Sequence, residues 1–228
     1  MIGPLPFVGT GFVVAHNGTN YLITNWHMVT GRDPNTNQPI SNTGAADPTS
    51  IGIWFHAATG LGNWLLKTQE VIDPATGNRK WLEHPTGRQV DVVALALANH
   101  ADITLYPLDR NLANTDLIVT PSEPVSIIGF PLGLASAGKF PIWKTGHIAS
   151  DIDLDYNGKP VFLIDATTKS GMSGSPVVAR RSGFIQTSQA QQLGGSATRF
   201  LGIYSGRIQD QSDEGMVWKP HTLDSILP

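Results

Sequence analysis

Short apolar runs separated by turn residues recur along the whole chain. "GFVVA" passes through "HNGT" into "YLIT", and Asn17-Gly18 between two apolar runs is the signal of a type I′ hairpin. "IGIWF" and "NWLLK" follow. "KTQEVI" and "RKWLEH", separated by the turn-rich "DPATGN", predict a second hairpin. "VDVVALAL" is almost continuously apolar, as expected of a strand buried on both faces. The segment from Leu112 to Pro124 reads as a connector, after which the pattern restarts with "VSIIGF", "IWKTGHIAS", "VFLIDA", "SPVVA", "FLGIYSGRI" and "GMVWK". The terminal "PHTLDSIL", with a proline start and apolar residues at helical spacing, predicts a short C-terminal helix. About six strands on each side of the connector predict an all-β fold of paired antiparallel barrels or a sandwich. The polar stretch from Gly183 to Phe200, rich in Gln and Ser, reads as a long surface loop.

Composition narrows the classes of function. Twenty-four Gly and 16 Pro in 228 residues are scattered between apolar runs, which fits many turns rather than disorder. A net charge of −3 supports neither nucleic-acid binding nor an anionic membrane surface. The absence of cysteine excludes a disulfide framework, a thiolate nucleophile and a Cys-ligated zinc site, and fits a reducing compartment. "MIGPLPFVGTGF" has no basic n-region and no long apolar h-region, so no leader is read there. No apolar run approaches the roughly 18 residues of a membrane span, and a cytoplasmic location is expected. No His-Glu-x-x-His, no paired ligand spacing and no phosphate loop appears, so neither metal nor organic cofactor is expected.

Candidate chemistry centres on "TKSGMSGSPVV", residues 169 to 179. It is either a turn before a strand or a nucleophile loop presenting Ser173 on a tight bend. A serine hydroxyl needs a base, and among the histidines at 16, 27, 56, 84, 100, 147 and 221, His27 has the most telling context. It follows an apolar strand in "YLITNWHMVTG", and a strand end is a rigid place from which to project an imidazole. A carboxylate must then hold the histidine's tautomer. Asp91 opens "DVVALAL", where an unpaired charge would be costly to bury, and Asp165 at the end of "VFLIDA" competes with it.

Taken together in the order His, Asp, Ser, these segments resemble the chymotrypsin-like serine peptidases, and most nearly the bacterial HtrA-type branch without disulfides. The resemblance covers nearly the whole chain. "GTGFVVA" is similar to the family's opening strand, "LITNWHMV" to its histidine motif and "VDVVALAL" to its aspartate motif. "IIGFPLG" is similar to a strand of the second barrel, "DATTKSGMSGSPVV" to the Gly-x-Ser-Gly-Gly-Pro loop and "LGIYSGRI" to the strand lining the cleft. The resemblance implies two six-stranded antiparallel β-barrels, residues 1–115 carrying His27 and Asp91 and residues 116–228 carrying Ser173, acting as one peptidase unit. It implies a His27–Asp91–Ser173 triad, an oxyanion hole from the backbone N–H groups of Gly171 and Ser173, and a protein or peptide substrate.

Two positions depart from the family pattern. Ser175 replaces the second glycine after the nucleophile, but only Ser173 has the Gly-x-Ser-Gly register. Met172 stands where animal digestive members carry an aspartate that pairs with a freed N-terminus, so activation through that salt bridge is not expected. The resemblance puts Thr167 at the base of the specificity pocket, Ser205, Gly206 and Arg207 along the cleft wall, and Gly215 on the neighbouring strand. With no charge at Thr167, a preference for small or medium uncharged residues is expected. The leading expectation is a serine endopeptidase. The rivals are a catalytically silent peptide-binding module and an esterase or acyl transferase using the same triad. The chain ends after the helix, which leaves a peptidase domain alone or one from a larger protein.

Overall fold

Asn17 and Gly18 both take positive φ, 48° and 77°, as a type I′ turn requires. They join β2 (Phe12–His16) to β3 (Thr19–Thr24) in an antiparallel hairpin. The computed structural model describes residues 2–3, 8–41, 47–209 and 211–228, so part of the stretch read for a leader, residues 1 and 4–7, lies outside the described residues. β3 pairs with β7 (Val93–Ala96), which pairs with β6 (Trp81–Glu83). A second sheet runs β1 (Ile2–Gly3), β4 (Ser50–Ala57) and β5 (Trp64–Glu70), with β8 (Ile103–Thr104) also on β4.

The first half therefore consists of two four-stranded sheets among the described residues, where a closed six-stranded barrel was expected. Burial along β4 alternates, and its inward Ile51, Ile53 and Phe55 meet Leu22, Val93 and Leu95 of the other sheet and Trp26 just beyond β3. Side-chain packing closes this half instead of a continuous ladder. The same division corrects the second predicted hairpin. Its turn exists, with the Asp73 carboxylate accepting from the N–H groups of Ala75 and Thr76. Its arms diverge beyond the Ile72–Arg79 bridge, β5 to one sheet and β6 to the other.

The second half closes fully. β9 (Pro124–Gly129), β10 (Ile142–Ile148), β11 (Val161–Asp165), β12 (Pro176–Gln186), β13 (Gln191–Arg207) and β14 (Glu214–Trp218) form a barrel in the order β10-β11-β14-β13-β12-β9. Gly183–Phe200, expected as a loop, belongs to the β12–β13 hairpin, with a turn at residues 187–190. Both faces of its outer part are largely in water, so it reads as polar and escapes an apolar-run test. Ile185 is the inward anchor, packed with Leu117 and Val119. The chain's last element is a 3-10 helix, Pro220–Ser225, with Leu223 buried.

A core shared by both halves holds them in one orientation. Val14, Ile23, Val92 and Ala94 pack against Val161, Phe200, Ile203 and Trp218. Each large apolar side chain buried here stabilises the docked arrangement by about 1.5–3 kcal/mol. Among the described residues no helix is long and apolar enough to cross a membrane.

Candidate active site

The chain does not simply turn after β3. It makes one helical turn, α1 (Trp26–Thr30), stopped by Gly31 in the left-handed region at φ 67°. Asn25, fully buried at the start of α1, donates from Nδ2 to the backbone carbonyl of Asp91 at 2.6 Å. This ties the helix start to the segment before β7 and leaves His27 facing the Asp91 carboxylate. The His27 backbone N–H donates to Oδ1 at 3.0 Å, and Nδ1 lies 2.7 Å from Oδ2. A third donor comes from the other half: Ser205 Oγ–H donates to Oδ2 at 2.6 Å. Asp91 is 3% exposed, and these three donors offset the cost of burying its charge.

An ionised carboxylate only accepts, so the proton of neutral His27 sits on Nδ1 and the lone pair of Nε2 faces away from Asp91. Burial of the ring lowers the His27 pKa. The charge and hydrogen bond of Asp91, with the charge of Asp33 added, outweigh burial and raise it above the ordinary imidazole value. The competing carboxylate, Asp165, is exposed at the end of β11 and makes no part of this cluster.

Ser173 is half-buried in the loop leading into β12, and Ser175 is fully buried, pressed against Gly129. The accessible hydroxyl is that of Ser173. It donates to the Ser205 carbonyl at 3.5 Å rather than to His27, a long contact of the kind that substrate-free sites often show. Ser205 thus touches both sides, its hydroxyl on Asp91 and its carbonyl at Ser173.

The loop is fixed by its backbone. Gly171 has φ 93°, and a Cβ there would lie 2.3 Å from the Phe130 carbonyl oxygen, so only glycine fits. The Leu132 N–H donates to the Ser170 carbonyl at 2.6 Å. In a trans peptide the carbonyl and the next N–H point oppositely, so this bond aims the Gly171 N–H away from Leu132. Leu132 reaches this position with φ 55°, a strained value for a non-glycine residue. Thr10 supplies the second clamp: Oγ1 donates to the Gly171 carbonyl at 2.8 Å and accepts from Phe130 N–H at 3.1 Å, while its N–H donates to the Ser173 carbonyl at 2.8 Å. The Thr24 hydroxyl in turn donates to the Thr10 carbonyl at 2.8 Å. The N–H groups of Gly171 and Ser173 have no acceptor among the described residues.

Around the cleft, Thr167 is exposed and its neighbour Thr168 is buried against Tyr204. Gly206 is half-exposed with open space where a Cβ would stand, Arg207 is exposed, and Gly215 lies buried beside the Tyr204 ring. Thr10, Thr24, Leu132, Thr168 and Tyr204 were not picked out from the sequence; their roles depend on contacts between segments far apart in the chain. Two cavities, of about 560 Å³ and 240 Å³, are lined by none of His27, Asp91 and Ser173. Among the described residues no group of three His, Asp or Glu side chains is placed to hold a metal ion.

Three solved structures that match the chain share less than a fifth of its sequence. The MamO protease domain of Magnetospirillum magneticum, in its apo form, aligns over 98% of this chain and 93% of its own, at 17% identity and a TM-score of 0.51. The inactive form of the Rv3671c protease of M. tuberculosis aligns over 99% and 85%, at 18% identity and a TM-score of 0.49. A serine endoprotease from Yersinia pestis aligns over 98% of this chain but 58% of its own, at 15% identity and a TM-score of 0.47. No curated protein matches the chain significantly. A family model described as a trypsin-like peptidase domain matches residues 9–185. The chain is a member of the trypsin-like peptidase domain family.

Proposed function

We propose that the protein is a serine endopeptidase in which His27, Asp91 and Ser173 form the catalytic triad. The observation that carries this reading is the double grip of Asp91 on His27, at the backbone N–H and at Nδ1, with Ser205 linking that pair to the Ser173 hydroxyl and Nε2 left without a partner among the described residues. Ser173 Oγ attacks the scissile carbonyl as its proton passes to Nε2; the imidazolium formed is stabilised by Asp91 and then protonates the leaving amine. Water repeats the sequence on the acyl-enzyme and frees the carboxylic acid. The unpaired N–H groups of Gly171 and Ser173 receive the developing oxyanion, where one such donor is worth about 2.7–4 kcal/mol. The substrate is a protein or peptide, and no metal or organic cofactor enters these steps.

A silent peptide-binding module is the second reading, favoured by the Ser173 hydroxyl facing the Ser205 carbonyl rather than His27. A fluorophosphonate probe separates the two, because it reacts fast only with a serine whose base and oxyanion donors are assembled. The expected result is labelling that is lost in Ser173→Ala and His27→Ala and retained in Ser175→Ala. An unlabelled wild-type protein refutes the peptidase. Faster turnover of a peptide amide than expected from an activated ester alone then distinguishes a peptidase from an esterase or acyl transferase.

A further inference from the structure

Gly215 on β14 stands in register with Arg207 on β13, and a glycine facing a cleft leaves room for a substrate side chain. That room is taken. A Cβ on Gly215 would lie 2.4 Å from Cε2 of Tyr204 and 3.4 Å from Cγ1 of Ile164. The Tyr204 ring runs from β13 across Gly215 to the loop before Ser173, where its hydroxyl is hydrogen-bonded to Thr168 Oγ1. Tyr204 is 2% exposed and Thr168 1% exposed, so the phenol closes this space rather than lining its edge.

Its position relative to the nucleophile gives the closure a consequence. Tyr204 directly precedes Ser205, whose carbonyl receives the Ser173 hydroxyl. The strand beyond, at Gly206, is half-exposed with open space on its side-chain side. An extended peptide laid along that strand with its reacting carbonyl at Ser173 turns the side chain before the scissile bond toward Tyr204 and Gly215.

We infer that Tyr204 plugs the specificity pocket and restricts the residue before the scissile bond to glycine, alanine or serine. The inference rests on the peptidase reading and narrows it to a substrate class. A larger side chain enters only if the phenol swings out, which strands the buried Thr168 hydroxyl without its partner. One methylene too many in a tight pocket shifts kcat/KM by about 10–200-fold, so a benzyl side chain is excluded more strongly still.

The test uses peptidyl diphenyl phosphonates that differ only in the side chain nearest phosphorus, with rates normalised to a small fluorophosphonate that does not use the pocket. Wild-type protein is expected to react at least about 100-fold faster with the alanine analogue than with the phenylalanine analogue. Tyr204→Val, which removes the ring, is expected to raise the phenylalanine rate by about 10–100-fold. Tyr204→Phe keeps the plug and the preference. If Tyr204→Val does not fold, the wild-type ratio and Tyr204→Phe still decide. Equal wild-type rates for alanine and phenylalanine overturn the pocket inference and leave the peptidase standing. Failure of the small probe to label wild-type protein overturns both.

Discussion

Replacing Thr10 by valine keeps the shape of a buried side chain and deletes one hydroxyl. That hydroxyl accepts from Phe130 N–H at 3.1 Å and donates to the Gly171 carbonyl at 2.8 Å, so Thr10→Val leaves one donor and one acceptor without a partner. An unsatisfied buried polar group costs about 1–3 kcal/mol, which puts the stability loss at about 2–6 kcal/mol if neither group finds water. Part of this falls on the reaction. The Gly171 carbonyl belongs to the loop that aims the Gly171 N–H, and loss of a full oxyanion donor lowers kcat by about 10²–10³-fold. Because Leu132 still holds the Ser170 carbonyl, a partial loss of about 10–100-fold in fluorophosphonate reactivity is expected, within that ceiling. Urea denaturation measures the stability and the probe rate measures the reactivity, with Thr10→Ser as the variant that restores the hydroxyl and behaves nearly as wild type. Thr10→Val with wild-type midpoint and wild-type rate would falsify the clamp.

Asp33 helps raise the His27 pKa, and the proposed reaction needs His27 neutral, so the acidic limb of the rate profile is expected above the ordinary imidazole value. Asp33→Asn moves that limb to lower pH, an effect that shrinks with added salt; a limb that stays in place contradicts it. The same raised pKa stabilises the fold below the unfolded-state value of His27 and ceases to do so as pH rises through the folded one, which urea midpoints across that window measure. Gly171→Ala puts a Cβ 2.3 Å from the Phe130 carbonyl and is expected to lower probe reactivity by about 100-fold or more, with an intact far-ultraviolet spectrum; wild-type reactivity refutes the tight fit. Ser205→Ala removes a hydrogen bond to a charged group worth about 1.5–3 kcal/mol, and an unchanged urea midpoint shows that Asp91 does not need it.

The elements that could be read from the sequence are those whose signal is local. Asn17-Gly18 names its own turn, and the apolar run "IGIWF" marks β4. His27 and Asp91 were found because each adjoins an apolar run, although the helical turn carrying His27 is too short to give a periodic pattern. What stayed hidden was decided by residues distant in sequence. Thr10 meets Gly171 across 161 positions, and Tyr204 meets Thr168 across 36. Gly215 alone suggests an open pocket, and only the placement of the Tyr204 ring reverses that reading. The division of the first half into two sheets was likewise hidden, since strand order depends on packing between β4 and β7 rather than on the pattern within either.

Ser205 lies 114 positions after Asp91, on a strand of the second barrel. During synthesis, the segment bearing His27 and Asp91 leaves the ribosome well before the strand that completes the coordination of its buried anion. Until that strand docks, the carboxylate lacks a donor, and in the proposed mechanism His27 has no assembled site in which to activate a hydroxyl. Under the proposed peptidase reading, a serine reactive toward the nascent chain or its neighbours therefore requires both halves to be docked.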